Sequence, residues 1–225
     1  TRPRTATALL LSSFASRGLI ELPVALAAML GADIGTSVAA QIFSLDVKWF
    51  WTVLVGAGVL IFMSSGNDKT RGLGRIVLGL GMMLLALAHV QIAAEPLRES
   101  TTFRSLLSGL AGEPMLGFLV TILITWFAHS SLSIVLLIMS LASTGALPAP
   151  LTLALVLGAN VGGAIAPWVA LSGSPVGARR VVLGNLAMRT ALAIPALFVV
   201  APAADLFSMI SPDSGRLVVN FHIGF

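Results

Sequence analysis

The residues best suited to chemistry stand in a few interruptions of an otherwise apolar chain. The stretch from Thr125 to Ser133 reads Thr-Trp-Phe-Ala-His-Ser-Ser-Leu-Ser and breaks a hydrophobic run. Serine hydroxyls donate hydrogen bonds, and N–H groups freed where a helix begins add its positive dipole end. Ser130 and Ser131 therefore offer what an oxyanion needs. Carbonyls released at the same break suit Na+, a hard cation that prefers oxygen. Asp33, Thr36, Ser37 and Asn160 supply further oxygens beside two glycine-rich segments, Gly31–Thr36 and Gly158–Gly163. Asp33 is the sharpest of these, because an ionisable group inside an apolar segment is costly and points to function. Its carboxylate could hold Na+, exchange a proton, or cap a helix starting near Ile34. Arg189, in the middle of another apolar run, could neutralise an anion, pair with Asp33, or extend its head to the membrane surface.

Other chemistry is excluded on residue type and spacing. His129 next to Ser130 does not make a nucleophile–base pair, since adjacent side chains rarely reach each other in that geometry and no G-x-S-x-G elbow is present. His89 and His222 are too far apart in sequence to form a metal-ligand spacing, so no transition-metal site is expected. With no cysteine there is neither a disulfide framework nor a thiolate site. No acid/base constellation emerges, and the chain reads as a non-enzyme.

The elements that must position these residues are duplicated. Thr5–Leu45 and Leu132–Ser172 align without a gap at an offset of 127, for example Gly158 minus Gly31. Ser13/Ser140, Gly18/Gly145, Pro23/Pro150, Leu30/Leu157, Gly31/Gly158 and Gly35/Gly162 are identical pairs. In a hydrophobic chain, a duplicated unit with Gly-rich interruptions is the mark of a secondary transporter built from repeats. Each copy reads as two short apolar helices around a Gly/Pro turn, a helical hairpin. The glycine segments that follow are expected to break the helix at membrane depth, where irregular backbone survives only against protein or a wet cavity. The competing reading is a small-residue packing seam. Two interruptions at equivalent positions favour a site.

Composition fixes the solvent. Of 225 residues 57% are hydrophobic and 10% charged, with a mean hydropathy of +1.00. A soluble domain carries roughly 25% charged residues, so this chain cannot cover itself with polar surface and lipid is the expected surrounding. The net charge of +4 sits at the ends of apolar runs and reads as membrane orientation rather than nucleic-acid binding. Candidate spanning stretches are Trp49–Ser65, anchored by Lys48, Trp49 and Trp51, then Gly72–Ala94, Leu116–Ile138 and Val181–Ala201. Lys69, Arg71 and Arg75 and the pair Arg179-Arg180 mark the cytoplasmic side. The loop Ala94–Glu113 faces outward, and its Thr101–Leu110 part is weakly amphipathic. The glycines at 72, 74, 79 and 81 lack the strand–turn–helix setting of a nucleotide loop and read as close helix packing.

At these residues the chain resembles the Na+/phosphate cotransporter family, in its bacterial branch. Gly31–Gln41 (GADIGTSVAAQ) and Gly158–Pro167 (GANVGGAIAP) are similar to the family's paired GANIGTT-type motifs. His129–Ser133 (HSSLS) falls where the family has its second QSSS-type motif. Gly74–Leu87, Ala178–Arg189 and Val219–Phe225 match the connecting, ARR…N and N-x-H-x-x-F segments, in order and over nearly the whole chain. The resemblance implies phosphate contacts from His129, Ser130 and Ser131, and from Arg4 and Thr5 at the equivalent place in the first copy. It implies Na+ contacts from Asp33, Thr36, Ser37, Asn160 and Ser133. Two departures stand out. Arg2-Pro3-Arg4-Thr5 occupies the first QSSS position, and Asp33 replaces the usual Asn, which Asn160 keeps.

The reading as a whole is an all-α polytopic transmembrane bundle with two structural repeats containing helical hairpins and broken helices. Residues 1–65 form the first transport repeat, expected to be cut short at its N-terminus. Residues 66–113 form connecting loops and a spanning helix, and 114–225 the second repeat. The function expected from the resemblance is Na+-coupled symport of inorganic phosphate by alternating access at the repeat interface, in a multi-pass cell-membrane protein with Na+ as coupling ion and no other cofactor. A passive anion channel and a non-transporting sensor or scaffold with a decayed site are the alternatives. Gly-rich faces permit a homodimer. The resemblance also implies a C-terminal soluble regulatory domain beyond Phe225.

Overall fold

A computed structural model describes residues 3–44, 49–64, 66–143, 145, 147–210 and 214–224. In lipid every backbone N–H and C=O has to be satisfied within the protein, and the described residues meet this with helices and no strand. In chain order these are α1 (Pro3–Ser16), α2 (Leu22–Ser44), α3 (Phe50–Ser64), α4 (Asp68–Glu99), α5 (Thr101–Ala111), α6 (Pro114–Ala128), α7 (Ser131–Ser143), α8 (Ala149–Ala170), α9 (Val176–Phe198), α10 (Val200–Ile210) and α11 (Ser214–Gly224). Among them α8 and α9 are long and apolar enough to cross a membrane. A third span exists if α5 and α6, which meet at 118°, act as one bent element.

The duplicated sequence folds in register. Adding 127 to α1 and α2 gives 130–143 and 149–171, within one residue of the ends of α7 and α8. The turns match as well. Gly18 has φ +70° and Gly145, 127 residues on, has φ +73°. Both follow a helix C-terminus, where a left-handed residue lets the N–H return to the last turn. Gly18 N donates to the Ala15 carbonyl (3.1 Å) and Gly145 N to that of Ala142 (2.9 Å). Glycine takes this backbone without the Cβ penalty that other residues incur.

The glycine segments do not break their helices, contrary to the expectation from sequence. Gly31–Thr36 lies inside α2 and Gly158–Gly163 inside α8, both continuous, and Asp33 is a mid-helix residue rather than a cap. The physical reason is visible in the second copy. A Cβ on Gly158 would come within 2.5 Å of the Phe118 carbonyl oxygen, and one on Gly162 within 2.6 Å of that of Ile122. The two glycines, one turn apart, bring the backbones of α6 and α8 together while α8 keeps its own hydrogen bonds. This is the small-residue seam of membrane helices. Gly31 and Gly35, their counterparts on α2, have nothing described within 4 Å of the equivalent position. A second seam joins α3 to α4, where a Cβ on Gly58, Gly74 or Gly81 would meet the backbone nitrogen of Leu78, Phe62 or Val55 at 2.5–2.7 Å. Arg71 and Arg75 close one end of it over the Phe62 ring.

The interruption at His129 does occur, and α6 and α7 are separate helices. The expected outward loop Ala94–Glu113 is instead largely helical, since α4 runs on to Glu99 and α5 follows. Ser100 caps α5, its side chain accepting from Phe103 N at 3.3 Å. Arg2, Lys48, Thr144 and Phe225 lie outside the described residues.

The main core belongs to the second copy. Leu151, Leu153, Val156 and Leu157 of α8 pack with Val135, Ile138 and Met139 of α7, Phe118 of α6, and Leu217, Val218 and Phe221 of α11. The first copy contributes Ala40 of α2 to this core and forms a smaller cluster, in which Ala8, Ala25 and Met29 meet Val181 and Val182 of α9. Gly162→Ala should therefore lower the melting temperature of the purified protein in detergent, because overpacking costs about 1–3 kcal/mol. Gly35→Ala should leave it unchanged or raise it, alanine being better than glycine in a helix by about 1 kcal/mol. Equal melting points would refute the seam.

Candidate functional site

Asp33 lies near the middle of α2, Asn160 near the middle of α8 and Arg189 two-thirds along α9, and the three meet. Arg189 Nη2 pairs with Asp33 Oδ2. Arg189 Nη1 donates to the Asn160 backbone oxygen at 2.8 Å. Arg189 Nε donates to Asn185 Oδ1 at 3.4 Å. Asp33 and Asn160 are repeat equivalents, 160 minus 33 being 127, so one guanidinium binds the same position of both copies at once. The planar fork of arginine can address several acceptors from one side chain. A carbonyl oxygen already used within a helix keeps a second lone pair for such a donor. Asn185 stands one helical turn before Arg189 on the same face of α9. The Arg189 and Asp33 side chains are 14% and 20% exposed, too enclosed for either charge to stand alone in apolar surroundings. Of the sequence options for Arg189, pairing with Asp33 is the one the structure adopts.

The hydroxyls around Asp33 face its own backbone. Thr36 Oγ1 donates to the Asp33 carbonyl at 2.8 Å and Ser37 Oγ at 3.0 Å. Ser37 Oγ also lies 3.4 Å from the His222 carbonyl, which ties α2 to α11. Asn160 is 6% exposed, and its side-chain nitrogen has no hydrogen-bond partner among the described residues. A buried donor left in this state costs about 1–3 kcal/mol, so the Asn160 side chain holds unused hydrogen-bonding capacity.

The second group is the turn between α6 and α7. His129 takes the left-handed conformation, φ 52° and ψ 25°, and its N–H closes the end of α6 on the Trp126 carbonyl at 3.1 Å. Its ring Nδ1 donates to the Phe127 carbonyl at 2.7 Å rather than facing a serine. Ser130 caps α7, its Oγ accepting from Ser133 N at 3.3 Å and lying 2.8 Å from Ser133 Oγ. Ser131 is 3% exposed in the first turn. Three hydroxyls thus gather at a helix N-terminus, a place that favours negative charge.

The residues expected from sequence fall into these two groups. Asp33 and Asn160 meet Arg189, with Thr36 and Ser37 on the Asp33 carbonyl, and His129, Ser130, Ser131 and Ser133 lie at the α6–α7 turn. Arg4 and Thr5 lie in the first turn of α1, and their side chains are outside the described residues. Asn185 and the His222 carbonyl join the first group without having been singled out. The i, i+4 spacing of Asn185 and Arg189 was a readable signal. The contact with His222, 185 residues from Ser37, had none.

The family model described as Na+/Pi-cotransporter matches residues 4–91 and 96–225. A protein of Salmonella typhimurium (strain LT2) named "Putative inorganic phosphate export protein YjbB" is 34% identical over 218 residues, covering 97% of this chain and 40% of that protein. Its namesake in Escherichia coli (strain K12) is 33% identical with the same coverage. "Uncharacterized protein YqeW" of Bacillus subtilis (strain 168) is 23% identical over 216 residues, 94% of this chain and 69% of that one. The chain spans about 40% of the length of the YjbB proteins it matches. No solved structure matches significantly.

The cluster predicts energetic coupling across the two copies. In a double-mutant cycle on thermal stability, Asp33→Ala and Arg189→Ala should each destabilise, and together should cost less than their sum by about 1–3 kcal/mol. Additive effects would mean that the pair contributes nothing.

Proposed function

The chain belongs to the Na+/Pi-cotransporter family, and on that premise we propose that it carries the two-repeat transport unit of a secondary transporter that moves inorganic phosphate with Na+. In this reading the protein spans the cell membrane several times, and the duplicated hairpins rock against each other about a shared site. The observation that carries the proposal is the Asp33–Arg189–Asn160 cluster. It joins equivalent positions of both copies by charge within apolar helices, where charges otherwise do not persist.

The chemistry divides between the two groups. Phosphate is held at the α6–α7 turn by the hydroxyls of Ser130 and Ser131, with His129 at its edge and the α7 N-terminus supplying positive dipole. Arg4 and Thr5 are assigned the equivalent role from the first copy. Asp33, Thr36, Ser37, Asn160 and Ser133 supply the oxygens for Na+. Phosphate and Na+ enter together because each lowers the electrostatic cost of bringing the other into a low-dielectric site. The carrier is reversible, and the gradients set its direction. An inward Na+ gradient drives uptake, whereas the export named for the YjbB relatives requires the phosphate gradient to outweigh that of Na+.

Two outcomes test the proposal. Labelled phosphate flux into proteoliposomes should follow an imposed Na+ gradient; flux unchanged when choline replaces Na+ would rule out the coupling. Ser130→Ala and Ser131→Ala should each weaken phosphate affinity roughly tenfold to a hundredfold, since a hydrogen bond to a charged group is worth about 1.5–3 kcal/mol. Ser130→Asn keeps a capping oxygen for α7. If Ser130→Asn behaves as wild type while Ser130→Ala does not, Ser130 acts as a cap and not as a ligand.

A further inference from the structure

We propose that Arg189 is a tethered cation which occupies the Na+ position between the two copies, so that Na+ binds there only by displacing the guanidinium. The inference rests on the transport reading above and makes its coupling ion specific. Three observations converge. The atoms that receive Arg189 are oxygens throughout: the Asp33 carboxylate, the Asn160 backbone carbonyl and the Asn185 side-chain carbonyl. Such a set, hard and partly anionic, is what a Na+ ion requires. The set is also symmetric in sequence, because its two principal members are the repeat equivalents Asp33 and Asn160. Finally, the Asn160 side-chain nitrogen is buried without a partner among the described residues. A half-turn about the last torsion of that side chain would exchange its nitrogen for its oxygen, so this residue can offer an acceptor that the arginine does not use.

The electrostatics favour one cation at a time. With Arg189 in place the Asp33 charge is already neutralised, and a second cation would meet a guanidinium within contact distance. Removing the guanidinium leaves a carboxylate in apolar surroundings, which a free cation would stabilise strongly. Arg189 therefore acts as an internal competitor. It holds the copies together when Na+ is absent and weakens apparent Na+ affinity by the free energy needed to detach it. In these contacts Asp33 and Arg189 carry charge, and Asn160, Asn185, Thr36 and Ser37 are neutral.

The test uses thermal stability of the purified protein, with NaCl exchanged for choline chloride at constant ionic strength. A cation that binds the folded state raises the melting temperature in proportion to its affinity. In Arg189→Gln, which keeps hydrogen-bonding capacity and much of the side-chain length, half-maximal stabilisation by Na+ should occur at a concentration on the order of tenfold lower than in wild type, the scale of coupling between contacting charged groups. In Asp33→Asn, with Arg189 retained, the Na+ response should fall below that of wild type. Asp33→Asn combined with Arg189→Gln should lose the gain of the single variant. An unchanged Na+ response in Arg189→Gln would overturn the proposal, as would a double variant that still responds like Arg189→Gln. If Arg189→Gln does not fold, a wild-type Na+ response in Asp33→Asn overturns it on its own. Phosphate flux, measured separately, keeps the two readings apart. Na+-driven flux with no effect of Arg189→Gln on Na+ affinity refutes the tethered cation alone. Sharpened Na+ binding without phosphate flux refutes the transport reading alone.

Discussion

Arg189 carries a charge that cannot be left in apolar surroundings, and the protein meets it with oxygens from three helices. Asp33 comes from α2, Asn160 from α8 and Asn185 from the arginine's own helix α9. Of these contacts, the ion pair with Asp33 brings in the first copy. That copy also rests on α9 through a small patch of Ala8, Ala25 and Met29 against Val181 and Val182, reaches the main core through Ala40, and touches α11 through Ser37 and the His222 carbonyl. Apolar contact alone gives helices little reason to associate in lipid, because lipid tails are as apolar as the side chains. A buried ion pair differs: its separation would expose two charges to hydrocarbon, which makes it a specific fastener between the halves.

Close approach of helix backbones provides the remaining order. At the α6–α8 and α3–α4 seams, glycines replace side chains that would collide with main-chain atoms. These seams rely on shape, while the Arg189 cluster relies on charge, and the two occupy different places. The seams fix α6 against α8 and α3 against α4. The charged cluster lies between the copies. An ionic contact suits that place, because a competing ion can replace it, whereas backbone packing can only be pulled apart.

The two copies are alike in backbone and unlike in chemistry. Gly18 and Gly145 share a left-handed backbone, and the bounds of α1 and α2 correspond to those of α7 and α8 at the 127-residue offset. Yet Asp33 presents a carboxylate where Asn160 presents an amide, and Gly31 and Gly35 are open where Gly158 and Gly162 are covered. Reading the cluster as a cation position gives this asymmetry a use. One anionic half and one neutral half supply a single negative charge, enough for one cation, whether that is Arg189 or Na+.

The sequence by itself determined the all-helical class, the lipid-facing composition, the family, the positions of both hairpins and the interruption at His129. Each of these is written locally, in hydropathy, in the 127-residue offset, or in a short motif. The sequence did not determine the state of the glycine segments. Glycine next to an apolar run is compatible with a broken helix and with a continuous one, and the choice depends on whether another helix comes close enough to use the missing Cβ. For Gly158 and Gly162 the partner is α6, met 37 to 40 residues earlier in the chain, and no local rule reports that distance. The partner of Arg189 was undecided for the same reason. Its side chain could have reached the membrane surface, an anion or Asp33, and only the packing of α2 and α8 against α9 brought a carboxylate and a carbonyl within reach of one guanidinium.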